Sequence, residues 1–236
     1  MKRSIALALV AIVLLAGCAG PLQTAASDGQ TTESTISVSA SGSVSAEPDL
    51  AVVRVGVEAT ADGANEARAK VARGVESVRA ALADGGVPDA NVTTTTFGIA
   101  PVYNYTRGER EVVGYRAVHS LAIETGPDRA GEVVDRTVGA GATSVESVRF
   151  TLSDDRRAEL RATALERAMD SARTDAEVIA SAANLSVTGV REASTSAEFV
   201  PYPVARFEDA ASGAETVIQP APVTVTATVQ VTYTAT

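Results

Sequence analysis

Few side chains in this sequence have the types and spacing that catalysis requires. His119 is the only histidine and Cys18 the only cysteine, which excludes a metal site built from several imidazoles or thiolates. His119 alternates with Tyr115 and Ala117 in a strand-like segment, and this favours a partly buried structural histidine over a general base. No nucleophile elbow, phosphate-binding loop or dinucleotide-binding glycine pattern occurs. The sequence therefore predicts no catalytic residue, no metal site and no cofactor.

Carboxylates are the remaining candidates for chemistry. Asp154 and Asp155 stand at the start of the longest predicted helix. They could bind calcium, but acidic residues in a first turn also interact favourably with the helix dipole, and we favour this second role. A hydrolase that uses carboxylates alone is the least favoured function class for this sequence.

The N-terminal sequence predicts where the protein is located. Lys2 and Arg3 introduce an apolar run at residues 4–17, shorter than the roughly 20 residues of a membrane-spanning helix. A basic start, a short apolar segment and small residues before a cysteine are typical of a secretory signal. Leu15–Cys18 resembles the lipobox of lipoproteins, so we expect residues 1–17 to be a signal peptide and Cys18 to carry the lipid that anchors the protein to the outer face of the cell membrane. An uncleaved anchor is the alternative.

Composition limits the partners. The chain has 29 acidic and 20 basic residues, a net charge of −9, which disfavours nucleic acid because phosphate binding requires clustered Lys and Arg. Apart from Lys2, the only lysine is Lys70. This composition resembles proteins of salt-adapted archaea, and an arginine-rich coding bias with an ordinary acidic surface is the alternative. Residues 18–34 have too few apolar side chains to fold, so we expect a lipidated flexible tether there.

Hydrophobic periodicity predicts an α+β domain over residues 35–236. Alternation indicates strands at residues 35–47, 51–57, 93–105, 115–123, 145–152, 187–192 and 223–233. Apolar residues at three- and four-residue steps indicate helices from Asp62, an expected N-cap, to Gly85, from Pro127 to residue 138, and from Ser153 to Asn184. The third helix has an expected apolar stripe of Leu165, Met169, Ala172, Ala176, Ile179 and Ala183. Arg107–Arg110 is the expected hairpin loop.

The order of these elements predicts the architecture. Residues 49–152 read β-α-β-β-α-β, the order of a ferredoxin-like plait. Residues 35–48 and 153–236 supply a β-α-β-β set that forms a second two-layer unit. We interpret the first unit as an insertion in the second.

Several motifs carry a resemblance to a known family. They are residues 40–51, 93–105, Gly114–Ala117, Gly141-Ala142, Phe150–Asp154, and Ile218–Pro220 followed by residues 225–233. Their order and spacing resemble the SIMPL-domain family, a domain of unknown function that includes bacterial periplasmic immunogenic proteins. The resemblance implies export, and for some members a link to oxidative stress. It implies no catalytic residues.

Two further features concern surfaces. Phe199, Tyr202 and Phe207 lie with several prolines in a long connection at residues 194–222, so we expect a partner contact or a mobile insertion there. Asn91 and Asn104 lie in N-glycosylation patterns and are candidates for modification. Asn184 lies in a third such pattern, but its place at a helix end favours a C-cap.

Three function classes follow from these observations. The preferred class is a lipid-anchored, non-enzymatic envelope protein that self-associates as a homo-oligomer or binds an envelope partner. The alternative is a module that binds a small apolar or peptide ligand between the two units. The carboxylate-dependent hydrolase is third.

Overall fold

Apart from a two-residue strand at Tyr202–Pro203, strands and helices follow one another along the chain in the order that the periodicity predicts. The computed structural model describes residues 33–106, 109–195, 202–203 and 218–236. The first half contains β1 (Ser34–Ala46), β2 (Leu50–Ala61), α1 (Ala64–Asp84), β3 (Val92–Thr106) and β4 (Glu109–Thr125). The second half contains α2 (Ala130–Gly139), β5 (Ser144–Thr151), α3 (Asp154–Ala182), β6 (Val187–Thr195), β7 (Tyr202–Pro203) and β8 (Val223–Ala235).

The strands form two antiparallel sheets, which confirms the expected α+β class. One sheet has the strand order β3-β4-β2-β5, and the order β-α-β-β-α-β runs through it from β2 to β5. In the other sheet β8 lies between β1 and β6, and the short β7 also pairs with β8.

The first sheet is covered on one side by α1 and α2. Alternate residues of β2, among them Val53 and Val55, are fully buried because their side chains all point to the helix side. Val71, Val78 and Leu82 recur on one face of α1 and complete this core.

The second sheet is covered by α3 through a row of small side chains. The buried residues of this helix follow a four-residue step: Leu160, Ala164, Ala168, Ala172, Ala176 and Ala180. They pack against β1 and β8, where Ile36, Val38 and Val231 are buried. Because alanine projects little, the helix lies close to the sheet. The approach is close at Gly42, where an added Cβ would meet the backbone of Ala164 and Ala168.

The opposite face of β1 and β8 carries hydroxyl groups. Three side-chain hydrogen bonds join the strands at regular four-residue intervals: Ser37–Thr232 at 2.9 Å, Ser41–Thr228 at 3.0 Å and Ser45–Thr224 at 2.8 Å. We call this set the hydroxyl ladder. It fixes the register of β1 on β8, since each pair is directly opposite in an antiparallel arrangement.

A short link joins the two sheets where the chain passes between them. Leu50 of β2 pairs with Thr151 of β5. One residue earlier, the Asp49 carboxylate accepts hydrogen bonds from the Ser153 backbone N–H at 2.8 Å and from the Ser153 hydroxyl at 2.5 Å. The Ser153 hydroxyl also accepts from the Arg156 N–H and caps α3.

The structure corrects three details of the sequence prediction. Asp62 does not cap α1, because the helix begins one residue later and Gly63 is the N-cap. Arg110 lies in β4 and not in the hairpin loop, because pairing continues to the end of the hairpin.

The third correction concerns the apolar stripe of α3. Ala172 and Ala176 are buried as expected, but Leu165 and Met169 only flank the core and Ile179 is 46% exposed. Because the strands lie close to the helix, only small side chains fit at the centre of its buried face, and the larger side chains lie at the flanks of that face. Asn184 lies at the helix end as expected, one position beyond the C-cap residue Ala183; it has φ 58°, and the next N–H, of Leu185, donates to the Ala180 carbonyl.

Candidate functional site

The β3–β4 hairpin exposes more large apolar side chains than any other described element. β3 is an outer strand, and α1 packs mainly on β2 and β4. Ile99 pairs with Ala117, which is fully buried, yet Ile99 itself is 38% exposed and Phe97 is 53% exposed. Both side chains point to the helix side of the sheet, beyond the area that α1 covers.

Apolar exposure continues along the hairpin towards its tip. Tyr105 is 71% exposed, and Val112 and Val113 are each about half exposed. The Arg110 guanidinium lies 3.5 Å from the centre of the Tyr103 ring, a cation–π contact that holds this part of the two strands together. We call Phe97, Ile99, Tyr105, Val112 and Val113 the hairpin patch.

His119 lies at the base of the hairpin patch and is half-buried, as the alternation predicts. Its Nε2 atom lies 2.9 Å from the Thr94 hydroxyl, and its ring packs edge-on against Phe97. Burial, and secondly the nearby positive charge of Arg79, lower the pKa of the imidazole. His119 is therefore mainly neutral at pH 7.

The carboxylates do not assemble into a metal site in the described part of the chain. Within those ranges no three side chains of the His, Cys, Asp and Glu types lie close enough to hold a metal ion. Asp154 forms an ion pair with Arg157 at 2.6 Å, and both Asp154 and Asp155 occupy the first turn of α3. This position is the one that helix-dipole stabilisation requires.

Sequence reasoning missed one polar contact on the open face of the first sheet. The Ser120 hydroxyl donates to the Glu146 carboxylate at 2.5 Å, and Ser120 is buried. The Glu146 side chain lies over Gly56, where an added Cβ would be 3.0 Å from its Oε1 atom. In the sequence, Gly56 was the residue that could have indicated this contact, because a glycine inside a strand indicates close approach by another group. The buried hydroxyl already donates to a carboxylate, so this pair acts structurally.

Among the residues selected from the sequence, Asn91, Asn104 and Tyr202 lie in the described ranges, and they lie at separate places in the fold. Asn91 donates its side-chain amide to the Glu124 carbonyl at 3.2 Å, and Asn104 lies in β3 opposite Glu111. Tyr202 lies in β7 and pairs with Thr224. Cys18, Phe199 and Phe207 lie outside the described residues.

No helix within the described ranges is both long and apolar enough to cross a bilayer.

The fold and its surfaces define a two-sheet α+β domain with an apolar hairpin patch and a hydroxyl ladder. Comparison with known proteins gives the family. The chain matches the family described as "SIMPL: Protein of unknown function (DUF541)" over residues 36–233, and it belongs to that family. The resemblance seen in the sequence motifs is thereby confirmed.

Two Brucella proteins are among the relatives of this chain. The chain is 27% identical over 178 residues to the "26 kDa periplasmic immunogenic protein" of Brucella melitensis, a match that covers 72% of this chain and 70% of the relative. The protein of the same name from Brucella abortus is equally similar over the same length.

Proposed function

We propose that this protein is a lipid-anchored, non-enzymatic component of the cell envelope that acts by binding proteins, either further copies of itself or an envelope partner. The single observation that supports this function best is the hairpin patch. Exposed apolar residues that cluster on one element are typical of protein-binding surfaces, whereas single exposed apolar residues are ordinary.

The shape of the patch favours a protein over a small ligand. Small-molecule sites are concave and bury most of the ligand. Here the apolar side chains lie along two paired strands, the outer strand β3 of 15 residues and its neighbour β4 of 17 residues. Such a surface offers a broad contact to another protein.

The location in this proposal rests on sequence and on relatives. The lipobox-like residues before Cys18 support lipid attachment, and the periplasmic location in the names of the Brucella relatives supports export. We also propose that residues 49–152 form a ferredoxin-like unit inserted in the second unit, and the strand order β3-β4-β2-β5 supports this arrangement. Glycans at Asn91 and Asn104 remain candidates.

Photo-cross-linking tests the binding function. A photoreactive amino acid in place of Ile99 in the full chain should form specific cross-linked species in cell membranes. The double variant Phe97→Ser with Val112→Ser should lose them, because apolar contact area is removed. Mass spectrometry of the cross-linked species identifies a second copy or an envelope partner.

A matched control separates this surface from general exposure. Val138 of α2 is 50% exposed and lies outside the hairpin patch. The photoreactive amino acid at Val138 should give only background cross-linking. Val138→Ser, combined with the photoreactive amino acid at Ile99, should leave the cross-linked species unchanged. If the two positions cross-link equally, or if the hairpin variant keeps its cross-linked species while folded, the hairpin patch is not the binding surface.

A further inference from the structure

The outer edge of β1 differs from the other three sheet edges. Edge strands usually carry charges, prolines or bulges that prevent pairing with another chain. β3 has Pro101 and two register shifts, β5 has Glu146 and Arg149, and β6 has Arg191, Glu192 and two register shifts. β1 is 13 residues long, contains no charged residue and no proline, and has no strand on its outer side among the described residues.

One end of this edge is already in contact with a charged side chain. Arg167 of α3 donates a hydrogen bond to the Ser43 carbonyl at 2.7 Å. The guanidinium therefore lies against β1 near its C-terminal end. The Arg167 side chain also lies beside Gly42, but in the described part of the chain no charged side chain donates a hydrogen bond to a carbonyl of residues 34–42, whose midpoint is Val38.

The open segment is complementary to itself. In an antiparallel pair centred on Val38, Ser37 lies opposite Ser39 of the second copy, and Ile36 lies opposite Ala40. Hydroxyl groups then face hydroxyl groups, as they do in the hydroxyl ladder, and a large apolar residue faces a small one. No like charges meet at the two-fold axis, because the segment has no charge.

The helix beneath the strand also fits this arrangement. Since α3 lies over β1 and β8, two copies of α3 would be separated by two strand spacings, about 10 Å, near the usual distance between packed helices. Arg167, which contacts β1, is the residue just before buried Ala168. Ile179 is likewise the residue just before buried Ala180, so Ile179 lies on the β1 side of the alanine row. It is 46% exposed and would be covered by the second helix.

We propose that β1 pairs antiparallel with β1 of a second copy about a two-fold axis at Val38, which joins the two hydroxyl-bearing sheets into one continuous sheet. The partner is another copy of this chain. This inference goes beyond the proposed function because it rests on a different strand, so loss of binding through the hairpin patch leaves it intact.

Disulfide cross-linking in membranes tests the pairing and its register. Two differently tagged full-length chains are co-expressed, one with Ser37→Cys and the other with Ser39→Cys, and oxidised. Directly opposite residues have Cβ atoms about 5 Å apart, within reach of a disulfide. We expect a mixed-tag dimer several-fold more abundant than with either single variant alone. Thr226→Cys, on the same face of the central strand β8, and the chain with no added cysteine give the background.

A second measurement does not depend on disulfide formation. Ser39→Lys places like charges across the axis, while Ser39 is exposed in the single copy and tolerates a longer side chain. We expect light scattering of the detergent-solubilised full chain to show a lower mass for Ser39→Lys than for Thr226→Lys, with circular dichroism confirming that both are folded. A mixed-tag signal at background, a cross-link to a different protein, or equal masses would overturn the proposal.

Discussion

At Gly42 of β1 the strand and helix α3 lie in close contact. An added Cβ would meet the Ala164 carbonyl oxygen and would lie 2.6 Å from the Ala168 nitrogen, and neither backbone atom can move without shifting α3. We therefore predict that Gly42→Ala destabilises the protein by at least about 2 kcal/mol, as overpacking does. The urea dependence of unfolding, followed by circular dichroism, measures the change.

Gly98 provides the matched control for Gly42. It also lies inside a strand, but an added Cβ at Gly98 meets nothing within 4 Å. Gly98→Ala should be neutral or slightly stabilising, because alanine restricts the unfolded chain. Equal effects of the two substitutions would contradict the close contact between β1 and α3.

Asp49 links stability to pH at the junction between the sheets. Burial alone would raise the pKa of its carboxyl, but the hydrogen bonds from the Ser153 hydroxyl and backbone N–H outweigh burial and hold the pKa below its ordinary value. A carboxyl with a lowered pKa stabilises the fold above its unfolded pKa of about 4, and this stabilisation is lost as the pH falls through the folded pKa. The free-energy difference between wild type and Asp49→Ala should thus be larger at pH 7 than at pH 3.

Urea unfolding at both pH values measures this difference. Asp49→Asn, which removes the charge and keeps the shape, should show the same trend with a smaller loss at pH 7. A wild-type advantage that is identical at pH 7 and pH 3 would show that the carboxylate form makes no special contribution.

At the scale of elements, α3 depends on small side chains in its centre. Ala172 is fully buried against the second sheet, whereas Ala162 on the same helix is exposed. We predict that Ala172→Leu costs about 1–3 kcal/mol because the helix must move away from the sheet. Ala162→Leu should be nearly neutral, since alanine and leucine have similar helix propensities. Thermal unfolding of the two variants gives the comparison, and equal stabilities would argue against close packing.

The sequence predicted the elements well because their periodicity is strong. β1 and β8 alternate apolar and hydroxyl residues over most of their length, β2 alternates buried apolar residues with Arg54, Gly56 and Glu58, and each strand was expected nearly where it lies. The apolar stripe of α3 was predicted wrongly because large apolar residues such as Met169 suggest core positions. The residues that are buried are determined by the short distance between helix and strand, which no local sequence pattern encodes.

The interaction surfaces were harder to predict than the elements. Phe97 and Ile99 alternate with smaller residues as core residues do, and only the position of β3 at the sheet edge, outside the area that α1 covers, leaves them exposed. Strand order is a long-range property that alternation does not contain. The motif residues Asp49 and Ser153, 104 positions apart, likewise show their hydrogen bond only in the folded chain.

At the scale of the whole molecule, the proposed function depends on attachment to the membrane. The apolar run at residues 4–17 is too short to span a bilayer as a helix, while acyl chains contribute about 0.8 kcal/mol per buried CH₂ group. We predict that Cys18→Ser moves the protein from the detergent phase to the aqueous phase when detergent-solubilised membranes are separated into the two phases. Intact-mass measurement of the wild type should show cleavage before Cys18 and added acyl chains. Ala19→Ser, one residue away, should remain in the detergent phase. If Cys18→Ser also remains there, an uncleaved N-terminal anchor holds the protein, and binding at the envelope must then be explained without lipid.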